Sequence, residues 1–350
     1  MVLGCPPETL FRRQSSRHAS RIPVLVGALA NCRIQSQTPR MDAQGQALVA
    51  LGRELRSLGY RFIAVTPSTH RIVLDRPPTE TSLQSIFGWN RPFERADLAE
   101  RIFALLVAAG ALESWNDRYK SRVRLATIDD LLFVHSAFPT DTPDAVFFGP
   151  DTYRFVRLVR GSLGELTENR PRRIVDIGCG SGAGGVCAAR LLGRGGVVLA
   201  DINRKALSYA AVNAAINDVG HVEIAYSDIL DGIEGPIDVV LANPPYLVDE
   251  GERLYRHGGG KLGLSIALRI VEQGLARLDP GGGLVVYTGT PIIHGVDPFF
   301  DSVRPLLQLH ARQFVYEEID PDVFGEELRL PAYLQADRIA AVGLTVIKQG

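Results

Sequence analysis

The spacing of apolar residues changes character along this chain, and each change predicts a different kind of element. From Met41 to about Ser136 the period is helical: "AQGQALVALGRELRSLGY" sets Leu48, Leu51, Leu55 and Leu58 in one stripe closed by Gly59. "DLAERIFALLVAAGAL" repeats the stripe through Leu98, Ile102, Leu105 and Leu106, and Gly110 ends it. "ESWNDRYKSRVRLATIDDLLFVHS" then predicts a short hairpin whose turn is surrounded by Arg118, Tyr119, Lys120, Arg122 and Arg124. Residues 137–170 read as a bridge, "FPTDTPDAVFFGPDT" followed by a short helix in "TYRFVRLVRGSL". The bridge reads as a linker whose aromatics cover a core edge and as a flap over a cleft, two roles that do not exclude each other. From residue 171 to 350 the pattern alternates between strand and helix. Strands are expected at "RIVDIG", "VVLADI", "VEIAYS", "IDVVLAN", "GLVVYTG", "ARQFVYEEI" and "RIAAVGLTVIKQ", with helices between most of them. Short Val- and Ile-rich runs of this kind are what a parallel sheet buried on both faces produces. The expected fold is therefore α/β, a seven-stranded sheet flanked by helices, with a smaller, mainly helical domain at 41–136.

Composition adds limits. The chain has 350 residues, 46% apolar and 22% charged, and no apolar run reaches the roughly 18 residues that span a bilayer. Cys5, Cys32, Cys179 and Cys187 include no CxxC pair, so neither a structural zinc nor a disulfide framework is expected, and a reduced, cytoplasmic setting is the simplest expectation. Residues 1–40 carry Arg12, Arg13, Arg17, Arg21, Arg33 and Arg40 against Glu8 alone. They read as a disordered basic tail, a transit-type segment, or sequence ahead of a true start at Met41. Without them, 32 basic and 38 acidic residues remain, a balance that does not favour a nucleic-acid partner over the whole surface.

The candidate chemistry sits at the carboxyl ends of the expected strands, where open α/β sheets bind ligands. "VDIGCGSGAGG" places Gly178, Gly180 and Gly182 between a strand and a helix, where tight turning and free helix-start N–H groups suit an anion or a close ligand. A GxGxxG pattern alone would equally suggest NAD. Asp201, with Ile202 beside it, closes the second strand and can take both hydroxyls of a ribose. Asp228 follows the third and can accept from an adenine amine, with Ile229 packed on the ring. Asp176 lies just ahead of the glycines, near where a ligand's ammonium group would sit. An amine, a ribose and an adenine together describe S-adenosylmethionine.

In order, "VDIGCGSG", "ADIN", "SDIL" and "NPPY" resemble the class I S-adenosylmethionine-dependent methyltransferases, in the subgroup with an (N/D)PP(Y/F) motif. The resemblance covers residues 150–350 and is nearest to the HemK-like glutamine N5-methyltransferases and other methyltransferase small domains, including adenine N6 and guanine N2 enzymes. It implies a Rossmann-like methyltransferase sheet and S-adenosylmethionine as cofactor. "HGGGKLGLSIALRIVEQGLARLDPGG" is similar to the HemK-like succession of glycine loop, helix and proline–glycine turn. The chain departs from those enzymes in offering "FFGPDTYRF" where they carry a "PRPETE"-like signature. Its helices and basic hairpin at 41–136 resemble a winged helix, which often binds duplex nucleic acid; a packing domain with a solvated hairpin fits the same pattern.

The motif itself suggests a reaction. Amide and aniline-like nitrogens are poor nucleophiles, so a catalyst must hold the NH2 group with its lone pair facing the methyl donor. The Asn243 side-chain oxygen and the Pro244 carbonyl are two acceptors for its N–H groups, the Pro244–Pro245 pair keeps them rigid, and Tyr246 offers a face for a flat target. Asn243 also borders the cofactor. Phe148 and Tyr153 are candidates for the acceptor side. His135, His257 and His294 share no metal spacing and receive no catalytic role, and Cys179 reads as a small filler. The expected function is N-methylation of a planar amide or exocyclic amine, of an RNA base or a protein Gln ahead of a small molecule. Arg118, Lys120, Arg122 and Arg124 are the available nucleic-acid contacts. The rival expectation is a non-catalytic regulator that binds nucleic acid and keeps the cofactor fold as a sensor.

Overall fold

The computed structural model describes residues 41–77, 80–166, 173–193 and 195–350; the basic segment 1–40 lies outside the described residues. The chain begins with α1 (Ala43–Ser57), whose N-cap Asp42 accepts from the Gly45 N–H, and α2 (Pro67–Leu74), capped by Thr66. After a π-turn at Gln84–Gly88 comes α3 (Glu100–Ala108). Two hairpins follow, β1 (Leu112–Trp115) with β2 (Arg118–Ser121) and β3 (Val123–Ile128) with β4 (Leu131–Ser136).

The helices fall where the apolar stripes put them, but there are two hairpins where one was expected. All twelve residues of β3 and β4 are buried. The second hairpin is thus core and not a solvated wing, because helix α6 (Arg204–Ile216) of the next layer closes over it. Two asparagines, Asn213 on α6 and Asn217 at its C-cap, lie one turn apart, are buried, and take the place of a neighbouring strand. The Asn213 amide accepts from the Val134 N–H (2.7 Å) and donates to the Val134 carbonyl (3.0 Å). Asn217 does the same with Leu132 (2.9 and 2.8 Å). A second bond from Asn213, to the Ser181 carbonyl at 2.9 Å, ties this junction to the glycine loop.

The remaining elements are α4 (Pro150–Leu166), β5 (Arg173–Ile177), α5 (Ala183–Leu192), β6 (Gly196–Asp201), then α6, β7 (Val222–Tyr226) and β8 (Val239–Ala242). They continue as α7 (Ser265–Arg277), β9 (Gly283–Ile292), α8 (Pro298–His310), β10 (Ala311–Asp320) and β11 (Arg338–Lys348). Every expected strand is present, in one seven-stranded sheet of order β10-β11-β9-β8-β5-β6-β7. The sheet is not wholly parallel: β11 runs antiparallel to both β9 and β10. A strand buried on both faces shows the same apolar run in either direction, so the reversal leaves no mark on the pattern.

Counted from β5, the order is 3-2-1-4-5-7-6. The doubly wound dinucleotide fold runs 3-2-1-4-5-6, so the reversed last strand inserted between the fifth and sixth sets this sheet apart. The direction of winding switches between β5 and β8, whose carboxyl ends carry the glycine loop and the Asn-Pro-Pro-Tyr turn. Apolar layers cover both faces of the sheet, one including Val186, Leu199 and Leu241, the other Val198, Val240 and Ile270. Among the described residues, no helix is long and apolar enough to cross a membrane.

Candidate active site

A cleft opens across the carboxyl ends of β5, β6 and β8, and the glycine loop forms its floor. Gly178 (φ 60°) and Gly180 (φ 55°) adopt left-handed backbone there, and a Cβ added to either would meet nothing within 4 Å. The loop therefore leaves space above itself that a side chain would otherwise occupy. Gly182 (φ 77°) serves packing instead, since a Cβ there would press on Leu199 and Ala210 in the layer beneath the loop.

Asp201 lines the cleft, with Oδ2 accepting from the Gly180 N–H (2.9 Å) and Oδ1 from the Asn203 N–H (2.8 Å). Burial pushes its pKa up while these N–H donors pull it back. Ile202 is 41% exposed and borders the same space. Asp228 is exposed, paired with Arg269 at 3.2 Å, and follows β7 on the far side of the cleft. Ile229 beside it has φ 52°, a strained backbone for a β-branched residue. The Ser227 hydroxyl holds it there by donating to its carbonyl at 3.0 Å. Strain of this kind persists only where the surroundings impose it, and it clusters at binding sites. These residues fit a nucleoside: an open glycine cradle, a carboxylate at one strand end, another at the next, and isoleucine faces between.

Asp176 is placed differently from its expected role. It is 1% exposed, does not border the cleft, and accepts from the Gly185 N–H at 2.7 Å from beneath the start of α5. Desolvation raises its pKa to about 7. It supports the loop from beneath, and its carboxylate is not part of the cleft lining.

On the other side of the cleft lie Asn243, Pro244, Pro245 and Tyr246. Among the described residues, no protein group hydrogen-bonds the Asn243 carboxamide. Tyr246 is 7% exposed; its hydroxyl donates to Asp151 Oδ2 at 2.9 Å and its ring meets Phe324 edge-on at 5.9 Å. The glycine-rich stretch after the motif braces this turn. Gly258 donates its N–H to the Leu247 carbonyl at 2.8 Å, and a Cβ on it would lie 1.9 Å from the Gly263 oxygen and 2.7 Å from that of Pro245.

Phe148 and Tyr153 do not face the acceptor side. Phe148 is 2% exposed and packs against Phe133 and His135, while the Tyr153 hydroxyl accepts from the Ala64 N–H at 2.9 Å. Their neighbours Phe147, Asp151 and Thr152 border the cleft instead. The loop enters α4 here, and neither a strand nor a helical period applies to the turn, so the facing residues could not be assigned by spacing.

Arg256, Tyr255 and Phe324, unassigned by sequence, also border the cleft. Tyr255 stacks on Phe147 (5.5 Å, 12°) and donates to the Thr140 carbonyl at 2.8 Å, so the bridge crosses to the loop after the motif. The bridge thus runs along the cleft, with Phe147 in its lining. Arg256 is shared between Asp249 (3.3 Å) and Glu327. Phe324 takes φ 55°, the second large non-glycine residue of the cleft held in the left-handed region.

The basic hairpin residues are largely accounted for within the protein. Arg124 is 5% exposed, donates to the Gly88 carbonyl at 2.7 Å and lies 3.3 Å from His70 Nδ1, so it is not a nucleic-acid contact. Burial lowers its pKa to about 10. Lys120 donates to the Phe138 carbonyl at 3.1 Å, and Arg118 and Arg122 stand beside Glu94 and Glu113.

Residues 162–292 match the family model described as the methyltransferase small domain. Across that stretch the chain is similar to methyltransferase small domains. The matched stretch holds the glycine loop, Asp201, Asp228 and the Asn-Pro-Pro-Tyr turn. Relatives of this domain include the release factor glutamine methyltransferase of Borreliella burgdorferi, 32% identical over 171 residues, 44% of this chain and 59% of that one. The ribosomal protein L11 methyltransferase of Syntrophotalea carbinolica is 35% identical over 190 residues, 49% of this chain and 61% of that one. The chain spans about three fifths of the length of these relatives. Among solved structures, a ribosomal protein L11 methylase from Lactobacillus delbrueckii subsp. bulgaricus matches with a TM-score of 0.38 at 16% identity, over 57% of this chain and 80% of that one.

Proposed function

We propose that the protein transfers a methyl group from S-adenosylmethionine to the nitrogen of a planar amide or exocyclic amine on a macromolecule. The observation that carries this reading is the Asn243 carboxamide, which borders the cleft on a proline-stiffened turn and has no hydrogen-bond partner among the described residues. The amide is open to the cleft and not sealed from solvent, so its oxygen and nitrogen are held on a rigid turn and left available to a ligand that enters there.

Gly178, Gly180, Asp201 and Asp228 would hold the cofactor, with the two acids on the ribose hydroxyls and the adenine amine. The bound cofactor supplies a methyl group already activated by its sulfonium charge. Asn243 Oδ1 and the Pro244 carbonyl accept the two N–H groups of the target, leaving its lone pair directed across the cleft, and Tyr246 walls one side. Positioning supplies most of the acceleration, and no strong general base is required.

A protein segment bearing an amide fits the rim better than RNA. Asp141, Asp322 and Glu326 are exposed near the cleft-lining Thr140 and Phe324, with Arg329 the basic residue among positions 320–329. Arg256 in the cleft lining is already paired with Asp249 and Glu327, so these exposed acids disfavour a phosphate backbone. The relatives named for release factor glutamine and for ribosomal protein L11 support the same choice. Incubation with methyl-labelled cofactor and lysate separated into protein, RNA and small molecules should place label in the protein fraction. Asn243→Ala should remove it; full labelling by that variant would refute the role of the turn.

A further inference from the structure

Tyr246 is fastened at both ends of its ring. Its flat side rests on the backbone of β9, where a Cβ on Gly289 would lie 2.3 Å from the ring. Its hydroxyl donates to Asp151, in the first turn of α4. Asp151 is 8% exposed, borders the cleft, and accepts also from the Tyr287 hydroxyl (2.8 Å) and from Arg154 (3.1 Å). Arg154 continues to Asp320 (2.6 Å), the last residue of β10, four residues before Phe324. One carboxylate thus joins α4, the turn after β8, strand β9 and the segment that carries the Phe324 wall.

We propose that Asp151 is a positioning residue for methyl transfer: it fixes Tyr246, and through Arg154 and Asp320 the Phe324 segment, so that the acceptor nitrogen is held at one point. The proposal rests on the methyltransferase reading given above. Asp151 lies in "FFGPDTYRF", the stretch that departs from the "PRPETE"-like signature, and was given no role by the sequence. The physical case is the cost of putting a carboxylate in a nearly buried site. Such a group is retained when each of its oxygens is satisfied, and here three donors from three elements converge on it. Burial and the neighbouring carboxylate keep the phenol proton on Tyr246 across the working pH range, so the hydroxyl stays a donor. A displacement of about 1 Å at an acceptor site costs about 100-fold in rate. A ring anchored only by van der Waals contact would not hold that tolerance.

The test is a double-variant cycle on the full chain with two readouts. Asp151→Asn and Tyr246→Phe should each lower kcat by about 10- to 100-fold, with cofactor affinity by calorimetry within about threefold of wild type. The double variant should be no more than about threefold worse than the poorer single, because both remove one bond. Multiplicative losses would overturn the proposal. So would a loss of cofactor affinity in Asp151→Asn that Tyr246→Phe does not share, which would make Asp151 a direct cofactor ligand. The second readout needs no substrate: in protein labelled with 3-fluorotyrosine, the fluorine resonance that vanishes in Tyr246→Phe should shift in Asp151→Asn, while that of Tyr316, a β10 residue whose hydroxyl donates to Asp297 and not to Asp151, stays. An unmoved Tyr246 resonance overturns the tether. If wild-type protein transfers no methyl group to any fraction, the methyltransferase reading fails and the role in acceptor placement with it, whereas the resonance still decides the tether.

Discussion

Each cleft residue contributes through an atom whose partners are countable, and that makes single substitutions informative. Asn243→Ala removes an acceptor that no described protein group uses, so folding and cofactor affinity should be kept while kcat falls at least about 100-fold. Asp201→Ala removes a charged acceptor worth about 2 kcal/mol, so cofactor affinity by calorimetry should weaken by about 30-fold; unchanged affinity would reassign the ribose. Asp176 gives a pH signature. Its folded pKa of about 7 lies above the unfolded value, so the folded state binds more protons between about pH 4 and pH 7. The stability it contributes is present below the unfolded pKa and is lost as pH rises to about 7. Denaturant titrations of the cofactor-free protein should therefore show Asp176→Asn gaining on wild type across that window; parallel curves would mean that the carboxyl is not desolvated. At this scale the sequence was most readable where a strand end fixes the residue, as for Asp201, Asp228 and Asn243. It was least readable in the turn into α4, where Phe147 and Asp151 face the cleft and Phe148 and Tyr153 do not.

The helices and strands were legible because burial on one stripe or on two faces leaves a period in the sequence. What escaped are features with no period of their own. The reversal of β11 is one, since its apolar run is the same in either direction. The buried second hairpin is another, because β3 and β4 owe their burial to α6, more than 70 residues away in the chain. Nothing in the sequence sets Asn213 and Asn217 apart from other polar positions near a helix end, yet each closes a strand edge. Asn213→Ala leaves the Val134 N–H, the Val134 carbonyl and the Ser181 carbonyl without their partner, and should destabilise the protein by about 3 kcal/mol in denaturant titration. A change under about 0.5 kcal/mol would mean that water replaces the amide and that the junction is open. The glycine stretch after the motif was recognisable as a pattern; that it braces the turn through Gly258 and Gly263 depends on close backbone approaches that no pattern encodes.

Across the whole molecule, the amino-terminal elements share a core with α6, one of the helices that flank the seven-stranded sheet. Leu51, Leu55, Phe87 and Leu125 pack in one cluster with Val212 and Ile216 of α6. The boundary near residue 136, drawn where the apolar period changes, therefore marks a change of pattern and not a separable body. Pattern reports what each segment buries and is silent about which segment it is buried against. A shared core also bears on chemistry, because the same α6 carries Asn213, bonded to the glycine loop through Ser181. All of this architecture converges on one claim, that the cleft with Asn243 at its edge methylates nitrogen. The direct test is mass spectrometry of the labelled product after transfer from S-adenosylmethionine. The account predicts a single methyl group on an amide or exocyclic amine nitrogen, formed by wild type and not by Asn243→Ala. A methyl group on carbon or on a hydroxyl oxygen, or the same product made equally well by Asn243→Ala, would contradict it.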